Sequence, residues 1–212
     1  MHRLIAFGCS CTYGVGLLDC FVPPTSAGPK PSKTAWPETL GKLFNVDEVI
    51  NKSQPGASNK YIWKCITDFN FKDTDIVFIN WAQLDRYAIF NSDNNCHQIG
   101  NWQISWDKRS KVYYKQMHTD YDSKYDFYIR ADHASRYLKS INVRHYHTAM
   151  GVDTNDAILK SPQWFSVDFM NTSLYNIRDL HPTALDNIHP GQEAHDHFAN
   201  DLHLEIKEQF ND

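Results

Sequence analysis

Four consecutive apolar residues, Leu4-Ile5-Ala6-Phe7, open the chain. A run this short and unbroken predicts a strand buried on both faces, as in a parallel sheet. The segment Trp36 to Phe44 then changes period. Pro37 suits a first helical turn, and Leu40, Leu43 and Phe44 fall on one side, so a helix is predicted. Val46 to Asn51 predicts a second strand. Lys60 to Phe69 predicts a second helix, with Ile62, Ile66 and Phe69 on one face. Asp75 to Trp81 is the clearest strand, again with a continuous apolar centre. His133 to Ile141 predicts a helix and Val143 to Met150 a fourth strand. The C-terminal stretch Glu193 to Phe210 carries Phe198, Leu202, Leu204 and Ile206 at helical spacing.

The gaps between these elements are also informative. Phe21 to Lys33 holds Pro23, Pro24, Pro29 and Pro31, and proline's fixed φ and missing donor predict a loop. Tyr87 to Asp126 shows no clean period, and residues 87–140 are expected to form an irregular insert of loops, short strands and helix. Strands alternating with helices predict an α/β fold with a mostly parallel sheet. Sites in such sheets lie at the carboxyl ends of strands. Ser10, Gly56, the segment after Trp81 and the stretch 186–189 all fall at such ends.

Composition narrows the partners. With 212 residues and 42% hydrophobic content, one domain spanning 1–212 with a full core is expected. The net charge of −4 argues against broad contact with nucleic-acid backbones. The basic run Lys108-Arg109-Ser110-Lys111 is expected to be a solvated loop. No apolar stretch approaches membrane-span length, and the N-terminus lacks a signal-peptide pattern, so no membrane partner and a cytoplasmic location are expected. Five cysteines, an odd count, argue against a disulfide framework. Cys9 and Cys11 flank Ser10 and are expected to pack at the strand end. The aromatic content of 14% is high. Tyr113, Tyr114, Tyr121, Tyr125, Phe127 and Tyr128 are expected either to pack the insert or to stack against a flat ligand such as a sugar.

The candidate chemistry sits at the two ends of the chain. Ser10 lies in Gly8-Cys9-Ser10-Cys11-Thr12, a turn of small residues directly after the first strand. A serine is a weak nucleophile near neutral pH and needs an adjacent base. Asp186-Asn187-Ile188-His189-Pro190 offers a histidine and a carboxylate to orient it.

Together these motifs resemble the SGNH (GDSL-type) hydrolase superfamily. The resemblance implies a three-layer α/β/α, flavodoxin-like fold, with Ser10 as nucleophile, His189 as base, Asp186 as its orienter and no cofactor. It further implies an oxyanion hole built from the Ser10 amide and from Gly56. The third block departs from the family's Gly-x-Asn-Asp, because Ala82 and Leu84 stand at the glycine and asparagine. Leucine donates no hydrogen bond, and losing one oxyanion donor costs roughly 3–4 kcal/mol. Gln83 is the expected substitute, with Arg86 second. Arg86 is alternatively a receptor for a substrate carboxylate or part of a surface ion pair, and Asn59 either contacts substrate or opens a helix.

Two other histidine patterns compete. Asp179-Leu180-His181-Pro182 also ends in His-Pro, but its gap is one residue short and no long helix follows it directly. His189, His195 and His197 lie close together, yet residues 195 and 197 point to different helix faces, so no metal site is expected. The expected function is a serine esterase acting on a small ester or an acetylated carbohydrate. The alternatives are a non-catalytic ligand-binding module on the same fold and a metal-dependent phosphoesterase.

Overall fold

The computed structural model describes residues 1–24, 26–93, 95–151 and 167–210. Its centre is a four-stranded parallel sheet made of β1 (Arg3–Phe7), β4 (Glu48–Asn51), β5 (Ile76–Trp81) and β8 (Arg144–Ala149). The strand order is β4-β1-β5-β8, the first four positions of the flavodoxin-like arrangement. A single parallel bridge from His147 to Phe169 continues the sheet beyond β8. Two short antiparallel pairs lie outside it: β2 (Phe21–Val22) with β3 (Ser26–Ala27), and β6 (Tyr87–Phe90) with β7 (Cys96–Ile99).

The period of two along each strand decides which helices cover which face. Ala6, Phe78 and Tyr146 are register partners and share one face. Phe78 meets Trp36 of α2 (Trp36–Leu43), and Trp36 meets Phe198 of α7 (Gln192–Phe210) edge-on at 5.2 Å. Phe7 and Trp81 belong to the other face. Phe7 packs against Phe69, just beyond α3 (Asn59–Thr67), and Trp81 against Phe127 of α5 (Asp120–Ser140). Helix pairs α2/α7 and α3/α5 therefore flank the sheet on opposite sides. The remaining α-helices among the described residues are α1 (Ser10–Tyr13), α4 (Lys108–Gln116) and α6 (Leu174–Arg178).

Three expectations change. The insert is more regular than the sequence suggests: after the β6–β7 hairpin come α4 and the long α5, which starts at Asp120 rather than near His133. Its buried positions include Ser123, Ala131, Ala134 and Ser135, so small and polar residues mask the helical stripe. The Lys108-Arg109-Ser110-Lys111 run is not a loop but the start of α4. The Asp107 side chain caps it by accepting from the Ser110 amide at 2.8 Å. The proline-rich segment after Cys20 contains the small β2–β3 pair.

Two histidines are buried in the packed layers without a charge partner among the described residues. His195 Nδ1 accepts the Trp36 amide at 3.1 Å, and His147 Nδ1 accepts Trp81 Nε1–H at 3.0 Å. Burial, helped by the nearby His189, pushes His195 from 6.5 down to about 3. Burial moves His147 in the same direction. Below about pH 6.5 the unfolded chain binds protons that the folded chain refuses, so stability falls as pH drops toward 3. The slope reaches up to about 1.4 kcal/mol per pH unit for each such group. The thermal midpoint at pH 5 is therefore expected below that at pH 7. An equal or higher midpoint at pH 5 would contradict the neutral, buried assignment.

Candidate active site

Ser10 opens α1 directly beyond β1, on a turn with no room to spare. A Cβ at Gly8 would lie 2.1 Å from Thr12 Oγ1, so only glycine lets the chain fold back this tightly. Beneath the turn, Asn80 Nδ2 donates to Thr12 Oγ1 at 3.2 Å, and Thr148 Oγ1 donates to Asn80 Oδ1 at 3.3 Å. Asn51 Nδ2 adds a bond to the Thr12 carbonyl at 2.8 Å. All four parallel strands thus hold the segment that carries Ser10: β1 by continuity and the others through these polar side chains.

The 186–189 loop reaches the same place through Gly16. Gly16 has a φ of +88°, and a Cβ there would sit 2.8 Å from Ala184 Cβ and 2.9 Å from Asp186 Cγ. Leu185 N donates to the Gly16 carbonyl at 3.0 Å. The carboxylate of Asp186 divides its two oxygens. Oδ1 accepts the amides of Ile188 and His189, each at 3.0 Å, and Oδ2 accepts His189 Nδ1–H at 2.5 Å. Burial opposes ionisation of Asp186, but these donors outweigh it and hold its pKa below the usual carboxylate value. The imidazole is thereby fixed with its proton on Nδ1 and its lone pair on Nε2. His189 Nε2 has no hydrogen-bond partner among the described residues, and Ser10 Oγ lies within hydrogen-bonding reach of the Cys11 thiol. His189 lies within electrostatic reach of Cys9, the residue before Ser10.

The competing histidines are placed elsewhere. His181 and His197 bond to one another at 2.8 Å, and Asp179 pairs with Arg178 at 2.8 Å. Among the described residues, no three His, Cys, Asp or Glu side chains are grouped to hold a metal ion.

On the oxyanion side, Gln54-Pro55-Gly56-Ala57 forms a turn closed by Ala57 N donating to the Gln54 carbonyl at 3.1 Å. Gly56 has a φ of +73°, the glycine position of a type II turn. Gln54 N donates to the Gly8 carbonyl at 3.2 Å, which pins this loop beside the nucleophile turn. The amides of Ser10 and Gly56 make no hydrogen bond among the described residues.

Arg86 bridges this loop and the end of β5. Nη1 donates to the Ala57 carbonyl at 3.4 Å and Nη2 to Gln83 Oε1 at 3.2 Å, while Nε is buried without a partner. Its charge acts on both Cys9 and Cys11, which flank Ser10. It is not part of a surface ion pair among the described residues.

Asn59 opens α3, one of the two roles that the sequence offers for it. Its side-chain amide donates to the Ala82 carbonyl at 3.0 Å and accepts the Ala82 amide at 2.7 Å. Only 3% exposed, it ties the first turn of α3 to the end of β5. Leu84 packs against the core and also lines the cavity, so the third block offers no side-chain donor at that position.

A cavity of about 360 Å³ lies across the ends of β5 and β8, lined in part by Gln83, Leu84, His118, Met150 and Tyr175. Ser10 and His189 are not among its walls. It adjoins the nucleophile turn through Met150, whose Sδ is 3.6 Å from Cys9 Sγ.

Sequence reasoning missed Met150, Tyr175, Gly16 and Trp102. Trp102 places its ring 5.0 Å from the Arg86 guanidinium, and a Cβ on Gly56 would lie 3.5 Å from it. A tryptophan beside a tight Gly100-Asn101 turn in a polar stretch was the available signal.

No protein-family model and no curated protein sequence matches the chain. Solved structures do match. The acetyl xylan esterase Est2A from the rumen bacterium Butyrivibrio proteoclasticus is similar at 13% identity and a TM-score of 0.61, over 99% of this chain and 64% of that one. TesA is similar at 11% identity and a TM-score of 0.55, over 97% and 98% of the two chains. A member of the lipolytic protein G-D-S-L family from Veillonella parvula gives 12% identity and a TM-score of 0.50, over 97% and 98%. This is the SGNH hydrolase fold. That fold agrees with the strand order β4-β1-β5-β8. No helix among the described residues is long and apolar enough to cross a membrane.

Proposed function

We propose that the chain is a serine ester hydrolase whose triad is Ser10, His189 and Asp186. The observation that carries this reading is the 2.5 Å bond from His189 Nδ1–H to Asp186 Oδ2, on a loop docked through Gly16 beside the turn of Ser10. That bond leaves Nε2 as the basic atom. Ser10 Oγ attacks the ester carbonyl as His189 Nε2 takes its proton, and Asp186 stabilises the imidazolium. The amides of Ser10 and Gly56 donate to the oxyanion. Arg86 supplies the positive field that the third block otherwise lacks, and Gln83 holds its guanidinium. The protonated His189 returns its proton to the leaving alcohol. It then activates water to release the acid from the acyl-enzyme.

The substrate class follows from the cavity. Its walls mix Gln83, Asp85, Asn101 and Asp120 with Leu84 and Tyr175, which suits a polar alcohol such as an acetylated sugar or another small polar ester. Fluorophosphonate labelling tests the mechanism without knowledge of the substrate. A single adduct on Ser10, absent in His189→Ala, is expected by peptide mass spectrometry. A folded protein that takes no adduct would instead support a binding module on this fold, a reading favoured by the missing donor at Leu84.

A further inference from the structure

The insert adds a second cleft that the triad does not use. It has a volume of about 260 Å³ and is walled in part by Arg86, Tyr113, Asp122, Tyr125 and Asp126. It meets the first cavity at Ser123, which lines both. Arg86 walls this cleft but not the first cavity, and it also reaches the loop of Gly56 through the Ala57 carbonyl. Beyond Tyr125 the aromatic surface continues. Tyr121 and Tyr125 are 70% and 46% exposed, with rings parallel within 5° and centroids 6.4 Å apart. One turn apart on α5, they make a stacked aromatic strip at the surface, in contrast to Phe127 and Tyr128, which are buried in the core.

We propose that this cleft and its tyrosine strip form a distal subsite for an oligosaccharide, so that the preferred substrate is an acylated sugar chain rather than a single acylated sugar. The proposal rests on the ester-hydrolase reading above. Parallel exposed rings stack on the C–H faces of sugars. Asp122 accepts hydroxyl hydrogens and Arg86 donates to ring or glycosidic oxygens, while Arg130 pairs with the Asp126 carboxylate. The Asp122 carboxylate repels a phosphate backbone, and a polar cleft does not suit a fatty acyl chain.

The test compares wild type with Tyr121→Ala/Tyr125→Ala on p-nitrophenyl acetate, O-acetylated xylose and partially O-acetylated xylohexaose and cellohexaose. The long substrates are expected to show the higher kcat/KM. The double variant is expected to lose about three- to tenfold on them, mainly through KM, with p-nitrophenyl acetate unchanged. Ser10-dependent hydrolysis of p-nitrophenyl acetate, with no preference for length and no effect of the variant, overturns the subsite and leaves the esterase standing. If p-nitrophenyl acetate is not hydrolysed, the esterase reading fails. Calorimetric titration with unmodified xylohexaose and cellohexaose then decides the subsite. Binding lost in the double variant supports it, and absence of binding by wild type overturns it.

Discussion

Ser10→Ala is expected to lower kcat for p-nitrophenyl acetate by at least about 10⁴-fold while leaving the fold intact. The size follows from the role. Without Oγ no acyl-enzyme forms, and what survives is the weaker effect of the oxyanion donors on direct attack by water. The structural cost is small. Ser10 Oγ meets the Cys11 thiol, a weak hydrogen-bonding group, so its removal leaves no strong donor or acceptor unpaired among the described residues. The turn depends instead on Gly8, Thr12 and the bonds beneath them. Circular dichroism and the thermal midpoint should match wild type. A variant that retained even a tenth of wild-type turnover would remove Ser10 from the mechanism.

Asp186→Asn is expected to cost about 10⁴-fold in kcat, again with little loss of stability. The carboxylate has two jobs, and asparagine keeps one. Its side-chain oxygen still accepts the amides of Ile188 and His189 that close the turn. Its NH₂ group, however, faces His189 Nδ1 and donates to it. The imidazole proton then moves to Nε2, and the ring can no longer accept from Ser10. The expected result is an enzyme with a native loop and the wrong histidine tautomer. Activity within tenfold of wild type would show that Asp186 is only a turn cap. Stability measured in parallel separates the two jobs, because loss of the turn would lower the midpoint and loss of the tautomer would not.

Much of the sheet was legible in the sequence because its strands are short, unbroken apolar runs. The expected third strand, Asp75 to Trp81, and the observed Ile76–Trp81 differ by one residue. The C-terminal helix was equally plain, since Phe198, Leu202 and Ile206 repeat at the helical spacing. Helix α5 was only half legible. Its core positions at Ser123, Ala131, Ala134 and Ser135 lack the contrast that a periodicity argument needs. Short motifs at opposite ends of the chain marked Ser10, Asp186 and His189 as candidates. Arg86 was legible only as an option, because its role depends on Ala57, Gln83 and Trp102 arriving around it. Asn59 was legible as the entry to a helix, but its tie to β5 was not. Its partner is the Ala82 backbone, and the sequence carries no sign that the start of α3 and the end of β5 come within hydrogen-bond distance.

The division of labour between the sheet and the insert has an evolutionary consequence. The nucleophile turn and the acid–base loop are anchored to the strands and to Gly16, whereas Trp102, Tyr113, Tyr121 and Tyr125 all come from one continuous stretch after β5. Mutation, insertion or recombination within that single coding interval can retune what the protein recognises, while the catalytic apparatus is inherited unaltered. Descendants of such a chain would diverge fastest in the insert, and new specificities would arise without a loss-of-function intermediate.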